Sequence, residues 1–265
     1  MNILNEIAQK TKERIEEQKK EIPLEEMKRE AFATCQSFQA RKPHAFLEAL
    51  SGAELSFICE VKKASPSKGI IAQDFPWLQI AKDYEAAGAA AISCLTEPYW
   101  FLGKDEYLQE IAKTVYIPVL RKDFTVDEYM IYQAKVLGAD AVLLIVGILS
   151  DAQVKEYRLL AESLGMDALV EAYTEEELDR AARSDARIIG VNNRNLKDFS
   201  VDTANSQKLK EQAPEGTIFV SESGITTAEQ VAQLRANGTN AVLIGESLMR
   251  AQDKKAMLEY LAGKR

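Results

Sequence analysis

Eight short apolar runs separated by helical patterns constrain the fold of this chain more than any other feature of its sequence. They read "FICEVK", "AAISCLT", "IPVLRKD", "AVLLIV", "DALVEA", "IIGVNN", "TIFVSES" and "AVLIGES", starting near residues 57, 90, 117, 141, 167, 188, 217 and 241. Between them lie helical segments such as "WLQIAKDYEAAG", "VDEYMIYQAKVLG" and "TAEQVAQLRANG", each closed by a glycine, the usual helix stop. Short apolar runs flanked by helices suit strands covered on both faces, and therefore a parallel sheet. Eight such units within roughly 200 residues predict an α/β fold, a closed (β/α)8 TIM barrel. A doubly wound open sheet is the main rival, but it rarely needs eight even units, and no G-x-G-x-x-G follows the first run.

The barrel is expected over residues 48–265, and residues 1–47 are expected to form a helical extension packed on it. "NEIAQKTKERIEEQKKEIPLEEMKREA" reads as one or two charged amphipathic helices split near Pro23, a structural lid over one mouth. The N-terminus lacks the apolar core and cleavage site of a signal peptide, and no apolar run approaches the roughly 18–20 residues of a membrane helix. Cys35, Cys59 and Cys94 form no metal-ligand spacing, and the last two fall in apolar runs, as buried free thiols do. These features predict a cytoplasmic protein without a membrane partner. A net charge of -8 with no basic stripe argues against nucleic acid, and an anionic ligand then needs locally concentrated cations. The single histidine, His44, is expected in a surface connection beside a proline. One histidine argues against a multi-histidine metal site, and chemistry must then run on Lys, Glu, Arg and Asn.

Function in such a barrel sits where strands end and βα loops begin. Alternate strand residues share a face, so Ile58, Glu60 and Lys62 point together, and Ile188, Gly190, Asn192 and Arg194 do likewise. Lys122 in "LRKDF" and Glu171 in "DALVEA" end two further runs, while Arg121 and Asp123 are expected to face the surrounding helices. Any one such group is more often a salt-bridged rim residue than a catalyst, and Asn193 and Asn195 read as turn caps. Convergence of two lysines, two glutamates, an asparagine and an arginine at one barrel end reads as a site, because unpaired charge there is expensive to bury. The runs "VSESGI" and "VLIGESLM" place Gly224 and Gly245 after the last two strands, the usual phosphate seat of these barrels. Clustered cations are expected to lower a lysine pKa toward the useful range.

The ordered set "EVKKASPSKG", "SCLTEPYWFLG", "LRKDF", "LVEAYTEEEL", "GVNNRNLKDF", "SESGI" and "LIGESLM" resembles the indole-3-glycerol-phosphate synthase family over essentially the whole chain. The resemblance implies closure of a pyrrole ring on a carboxyphenylamino-deoxyribulose phosphate with loss of carbon dioxide and water, a carboxy-lyase step of tryptophan biosynthesis that uses no cofactor. It makes Lys122 the candidate general acid and Glu171, Glu60 and Lys62 the remaining proton-transfer candidates, with Asn192 and Arg194 orienting substrate. Ser65 and Pro66 match the first loop, and Phe101 an aromatic that packs on the anthranilate ring. Lys62, Ser223, Gly224, Leu243 and Gly245 match the phosphate end. Glu246 stands where some members carry a small hydroxyl residue, so its side-chain role stays open. Lys68 and Gly69 are read as giving the first loop charge and mobility, and Lys63 as a rim charge. The implied partner is a small phosphate- and carboxylate-bearing substrate, with the protein a monomer or weak homo-oligomer. Two other readings remain: another phosphate-binding barrel enzyme, such as an isomerase or a Schiff-base aldolase using Lys122, and a non-catalytic metabolite-binding barrel.

Overall fold

The computed structural model of the chain describes residues 2–36, 41–195 and 200–264. Strand β1 (Ser56–Val61) is followed by a short antiparallel hairpin, β2 (Ala64–Ser65) with β3 (Gly69–Ile70), built into the loop at its end. Seven further strands follow: β4 (Ala91–Leu95), β5 (Val119–Lys122), β6 (Ala141–Ile145), β7 (Asp167–Ala172), β8 (Ile188–Asn192), β9 (Ile218–Glu222) and β10 (Ala241–Ile244). With β1 they make a closed, all-parallel barrel in which β10 pairs back onto β1. All eight apolar runs are barrel strands, and the open-sheet alternative falls because no barrel strand is left with a free edge.

Three helices precede the barrel: α1 (Ile3–Glu21), α2 (Leu24–Cys35) and α3 (Ala45–Leu50). Pro23 separates the first two, as its missing N–H requires, and serves as the N-cap of α2. Residue 47 falls inside α3, whose Phe46 and Leu50 are buried. The outer ring comprises α4 (Trp77–Ala86), α5 (Asp105–Thr114), α6 (Glu128–Val136), α7 (Asp151–Ser163), α8 (Glu175–Arg183), α9 (Asn205–Lys210), α10 (Ala228–Ala236), α11 (Glu246–Arg250) and α12 (Lys254–Leu261). Ser150 with Gln153, and Thr227 with Gln230, form reciprocal capping boxes that fix the starts of α7 and α10.

Strand alternation divides the apolar residues into two cores. Ile58, Leu120, Leu143, Leu169, Ile188, Val220 and Leu243 pack inside the barrel, whereas Phe57, Cys59, Val61, Val142 and Val170 pack outward against the helices. Leu4 and Ile7 of α1 join the inner cluster, so this helix lies across one barrel end. His44 is not a simple surface residue: it caps α3 in a left-handed conformation (φ 61°), and its Nδ1 lies 3.0 Å from Asp167 Oδ1 at the start of β7. That end of the strand is opposite Glu171, so His44 belongs to the fold and not to the mouth.

The loop after β4 is packed with no room for a side chain at Gly103, where a Cβ would lie 2.6 Å from the Leu95 carbonyl carbon and 2.8 Å from that of Thr96. Gly103→Ala is expected to destabilise the protein by about 1–3 kcal/mol in chemical denaturation, because the obstruction is backbone and cannot rotate away.

Candidate active site

The inward positions near the carboxyl ends of the strands carry charge where the lower layers carry Leu, Ile and Val. Glu60 comes from β1, Lys122 from β5, Glu171 from β7, Asn192 from β8 and Glu222 from β9. All five line one cavity of about 1000 Å³, counted out to its open rim, together with Lys62, Ser65, Pro66, Phe101, Arg194, Ser223, Gly224, Leu243, Gly245 and Glu246. Every candidate position read from the sequence thus faces a common space. The last part of "GVNNRNLKDF", residues 196–199, lies outside the described residues.

Lys122 is the hub. Its Nζ lies 3.4 Å from Glu171 Oε2 and 3.7 Å from Glu222 Oε2. Burial opposes its charge, but attraction to Glu171, Glu222 and Glu60 outweighs that and raises its pKa above the ordinary lysine value. The expected lowering is therefore corrected: the nearest charges are carboxylates, not cations. Glu60 is buried too, yet Lys62, which bonds to its Oε1, together with Lys122 and Arg194 lowers its pKa, so it stays a carboxylate.

Glu222 was not singled out from the sequence, although it stands in "SESGI" two residues after the inward Val220. The alternation that exposed Glu60 could have found it. Burial first, and then repulsion from Glu171, push its carboxyl pKa well above the usual range, against the pull of Lys122. Neither of its oxygens meets a hydrogen-bond donor among the described residues. A proton on Glu222, directed to Glu171, resolves both facts. Two buried carboxyl groups and an ammonium then form a proton-bearing cluster with no uncompensated charge between them.

Two glycines make space for these carboxylates. A Cβ on Gly190 of β8 would collide with Glu222 Oε1, and one on Gly245 would collide with Glu60 Oε1 and lie 2.8 Å from Lys62 Nζ. Gly245 was read as a point of close ligand approach, and it also accommodates the Glu60–Lys62 pair. Asn193 does more than cap a turn. Its Nδ2 donates to the Ser223 carbonyl and to Ser221 Oγ, and its Oδ1 accepts from the Ser206 N–H. Ser223 is thereby held in the left-handed region at φ 68°, a strained conformation for a serine, followed by Gly224 at φ 76°, which glycine adopts freely. The Glu246 carboxylate accepts from Arg250 at 3.1 Å and lies 3.6 Å from Lys68 of the first loop, so it is already engaged by cations.

The opposite wall is apolar. Phe101 and Phe124 stand with ring centroids 6.0 Å apart at 43°, beside Leu95, Leu143 and Ile145. The Phe101 loop is set by Glu97, a fully buried carboxylate that accepts three successive backbone N–H groups, from Tyr99, Trp100 and Phe101, at 2.8–2.9 Å. The cavity is therefore sided: cations and main-chain turns at the β9–β10 edge, proton-bearing groups in the middle, aromatic rings across from them. Such a cavity suits a ligand with an anionic end, an oxygen to be protonated and a flat ring.

A sequence profile described as indole-3-glycerol phosphate synthase matches residues 4–261. The chain is 54% identical over 261 residues to the indole-3-glycerol phosphate synthase of Ruminiclostridium cellulolyticum, covering 98% of this chain and 99% of that one. It is 51% identical over 266 residues to that of Lachnoclostridium phytofermentans, covering 98% of each. Among solved structures, 3-hexulose-6-phosphate synthase from Salmonella typhimurium superposes with a TM-score of 0.64 at 12% identity, over 79% of this chain and 97% of that one, a likeness of fold alone.

Gly190→Ala is expected to displace Glu222 and lower kcat by about 10- to 100-fold. KM should change little in steady-state assays, because the phosphate edge is built from other strands.

Proposed function

This chain belongs to the indole-3-glycerol phosphate synthase family and carries out that family's carboxy-lyase step in tryptophan biosynthesis, and on that premise we propose how its barrel mouth performs the chemistry. The substrate, 1-(2-carboxyphenylamino)-1-deoxyribulose 5-phosphate, has the three parts that the cavity distinguishes. Its phosphate sits against the Ser223–Gly224 turn and the backbone after Gly245, with Lys62 supplying charge. Its anthranilate ring packs on the wall made by Phe101 and Phe124, whose rings already touch each other. Asn192 and Arg194 hold the ribulose chain and the carboxylate, Ser65 and Pro66 cover it from the first loop, and Leu243 packs beneath.

Ring closure needs the aryl carbon that bears the carboxylate to attack the ribulose ketone. Lys122 donates a proton to the ketone oxygen as negative charge develops there. Its carboxylate neighbours keep it protonated at neutral pH, and their negative charge is what the developing alkoxide must outbid for the proton. The new carbon–carbon bond leaves the aryl ring non-aromatic, and departure of carbon dioxide restores aromaticity. Dehydration follows: the hydroxyl formed from the ketone leaves as water, and a proton is lost from the adjacent methylene to complete the indole. The Glu171–Glu222 pair holds one proton between two carboxyl groups within reach of Lys122, so it both reprotonates the lysine and accepts the proton lost in dehydration. Glu60, kept ionised by Lys62, fixes the charge balance of the opposite side and serves as the remaining base.

The observation that carries this reading is one lysine ammonium set between two glutamates and facing an aromatic clamp. It also disfavours a Schiff-base aldolase, which needs a neutral amine. We infer with it a protein of the cytoplasm, monomeric or weakly associated, acting on a small anionic substrate without nucleic acid. Among the described residues no helix is long and apolar enough to cross a membrane.

The test is conversion of the ribulose phosphate to an indole-fluorescent product without added metal or nucleotide. Lys122→Met should lower kcat by about 100- to 10,000-fold while the protein stays folded, and near-normal turnover would remove Lys122 from its role. Borohydride with substrate should leave no covalent lysine adduct. Glu222→Gln, which retains shape and a donor but cannot pass on a proton, is expected to lower kcat by about 100-fold or more with KM little changed in the same assay.

A further inference from the structure

The side chains on either side of Lys122, Arg121 and Asp123, are buried, and Asp123 is tied to the N-terminal helix. Asp123, whose side chain is fully buried, accepts at Oδ2 from Arg14 Nη2 of α1 (2.9 Å) and from Thr96 Oγ1 at the end of β4 (2.7 Å). Its Oδ1 accepts from the Phe124 N–H at 2.8 Å. One carboxylate thus joins the loop after β4, which carries Phe101, to the loop after β5, which carries Phe124, directly behind the catalytic lysine.

The larger share of the charge on that joint comes from Arg14. Arg121 is close, with Nη2 3.8 Å from Asp123 Oδ2, but its donors are committed to Asp105 Oδ1 (2.8 Å), the Met130 carbonyl (3.0 Å) and Thr96 Oγ1 (3.1 Å). Arg14 is 11% exposed and also lies in the field of Asp105 and Glu97, the carboxylate that holds the Phe101 loop. Removing it leaves Arg121 facing buried Asp123 and Glu97 together with half-buried Asp105, where uncompensated charge is tolerated poorly.

We propose that Arg14 is a positioning residue for the reaction: from α1 it anchors Asp123 and so holds Lys122 and the Phe101–Phe124 pair in their catalytic register. This rests on the proposed role of Lys122 and extends it to a residue more than a hundred positions away in sequence. The N-terminal extension is then part of the catalytic apparatus, not a lid alone. Misplacing a reacting group by about 1 Å can lower a rate by about 100-fold, so the anchor acts on kcat more than on binding of the phosphate, which is held by β9 and β10.

The experiment compares kcat, KM, circular dichroism and thermal midpoint for the unaltered protein, Arg14→Met, Arg14→Lys, Asp123→Asn and the double variant Arg14→Met/Asp123→Asn. Arg14→Met should lower kcat by about 10- to 100-fold in a folded protein with KM little changed. Arg14→Lys should regain part of the loss, and guanidinium ion added to Arg14→Ala should restore activity that added sodium ion does not. The double variant should lose no more than the worse single one, since both break one contact. Unchanged kcat in folded Arg14→Met overturns the proposal. So does a loss that follows the unfolded fraction, with neither rescue nor coupling. If the unaltered protein does not convert the ribulose phosphate, it is the reading of the reaction that fails. If it does and Arg14→Met matches it, only the anchor fails.

Discussion

Lys122 sits between two buried glutamates, and the attraction between its ammonium and their carboxyl groups is what permits a polar mouth on an apolar barrel. Burial alone would disfavour the charge on the lysine, and burial together with repulsion from Glu171 pushes the Glu222 carboxyl pKa up. Lys122 is held as an ammonium, and the Glu222 carboxyl is pushed toward its protonated form. The remaining polar groups follow from that arrangement: Lys62 holds Glu60 ionised beside them, and Gly190 and Gly245 leave the volume that the carboxylates occupy.

Around this hub the barrel separates tasks by strand. The loops after β4 and β5 carry Phe101 and Phe124, β7 and β9 carry Glu171 and Glu222, and the turn after β9 holds Ser223 and Gly224 at positive φ. Charge at the other end of the strands has a different use. Asp167, at the start of β7, accepts from the Leu47 N–H and from Arg187 while its Oδ1 lies beside His44, which fastens α3 beneath the barrel. The same residue types thus serve chemistry at one end and packing at the other, and their position along the strand distinguishes the two.

Much of this was legible in sequence because strand alternation leaves a strong mark. Eight apolar runs gave the barrel, and parity placed Glu60, Lys62, Asn192 and Arg194 on the inward face. Two things were hidden. The sign of the Lys122 shift depends on which charges lie nearest in space, and Glu171 and Glu222 are 49 and 100 positions away from it. The Arg14–Asp123 contact joins a surface-patterned helix to a strand end, and nothing in the local pattern of "KTKERIEEQKK" sets that arginine apart from its neighbours. Glu222 was accessible in principle and was passed over because the glycine beside it drew the argument toward phosphate.

The central claim is that Lys122 is a charged acid kept so by its carboxylate neighbours, and its titration tests this most directly. In protein with isotope-labelled lysine side chains, the Lys122 signal is assigned by its absence in Lys122→Met and followed by NMR as pH rises. The account predicts an ammonium through neutral pH that titrates above the ordinary value of 10.5, and a lower titration point in Glu171→Gln. A Lys122 that loses its proton near or below neutrality, or one indifferent to Glu171→Gln, would contradict it.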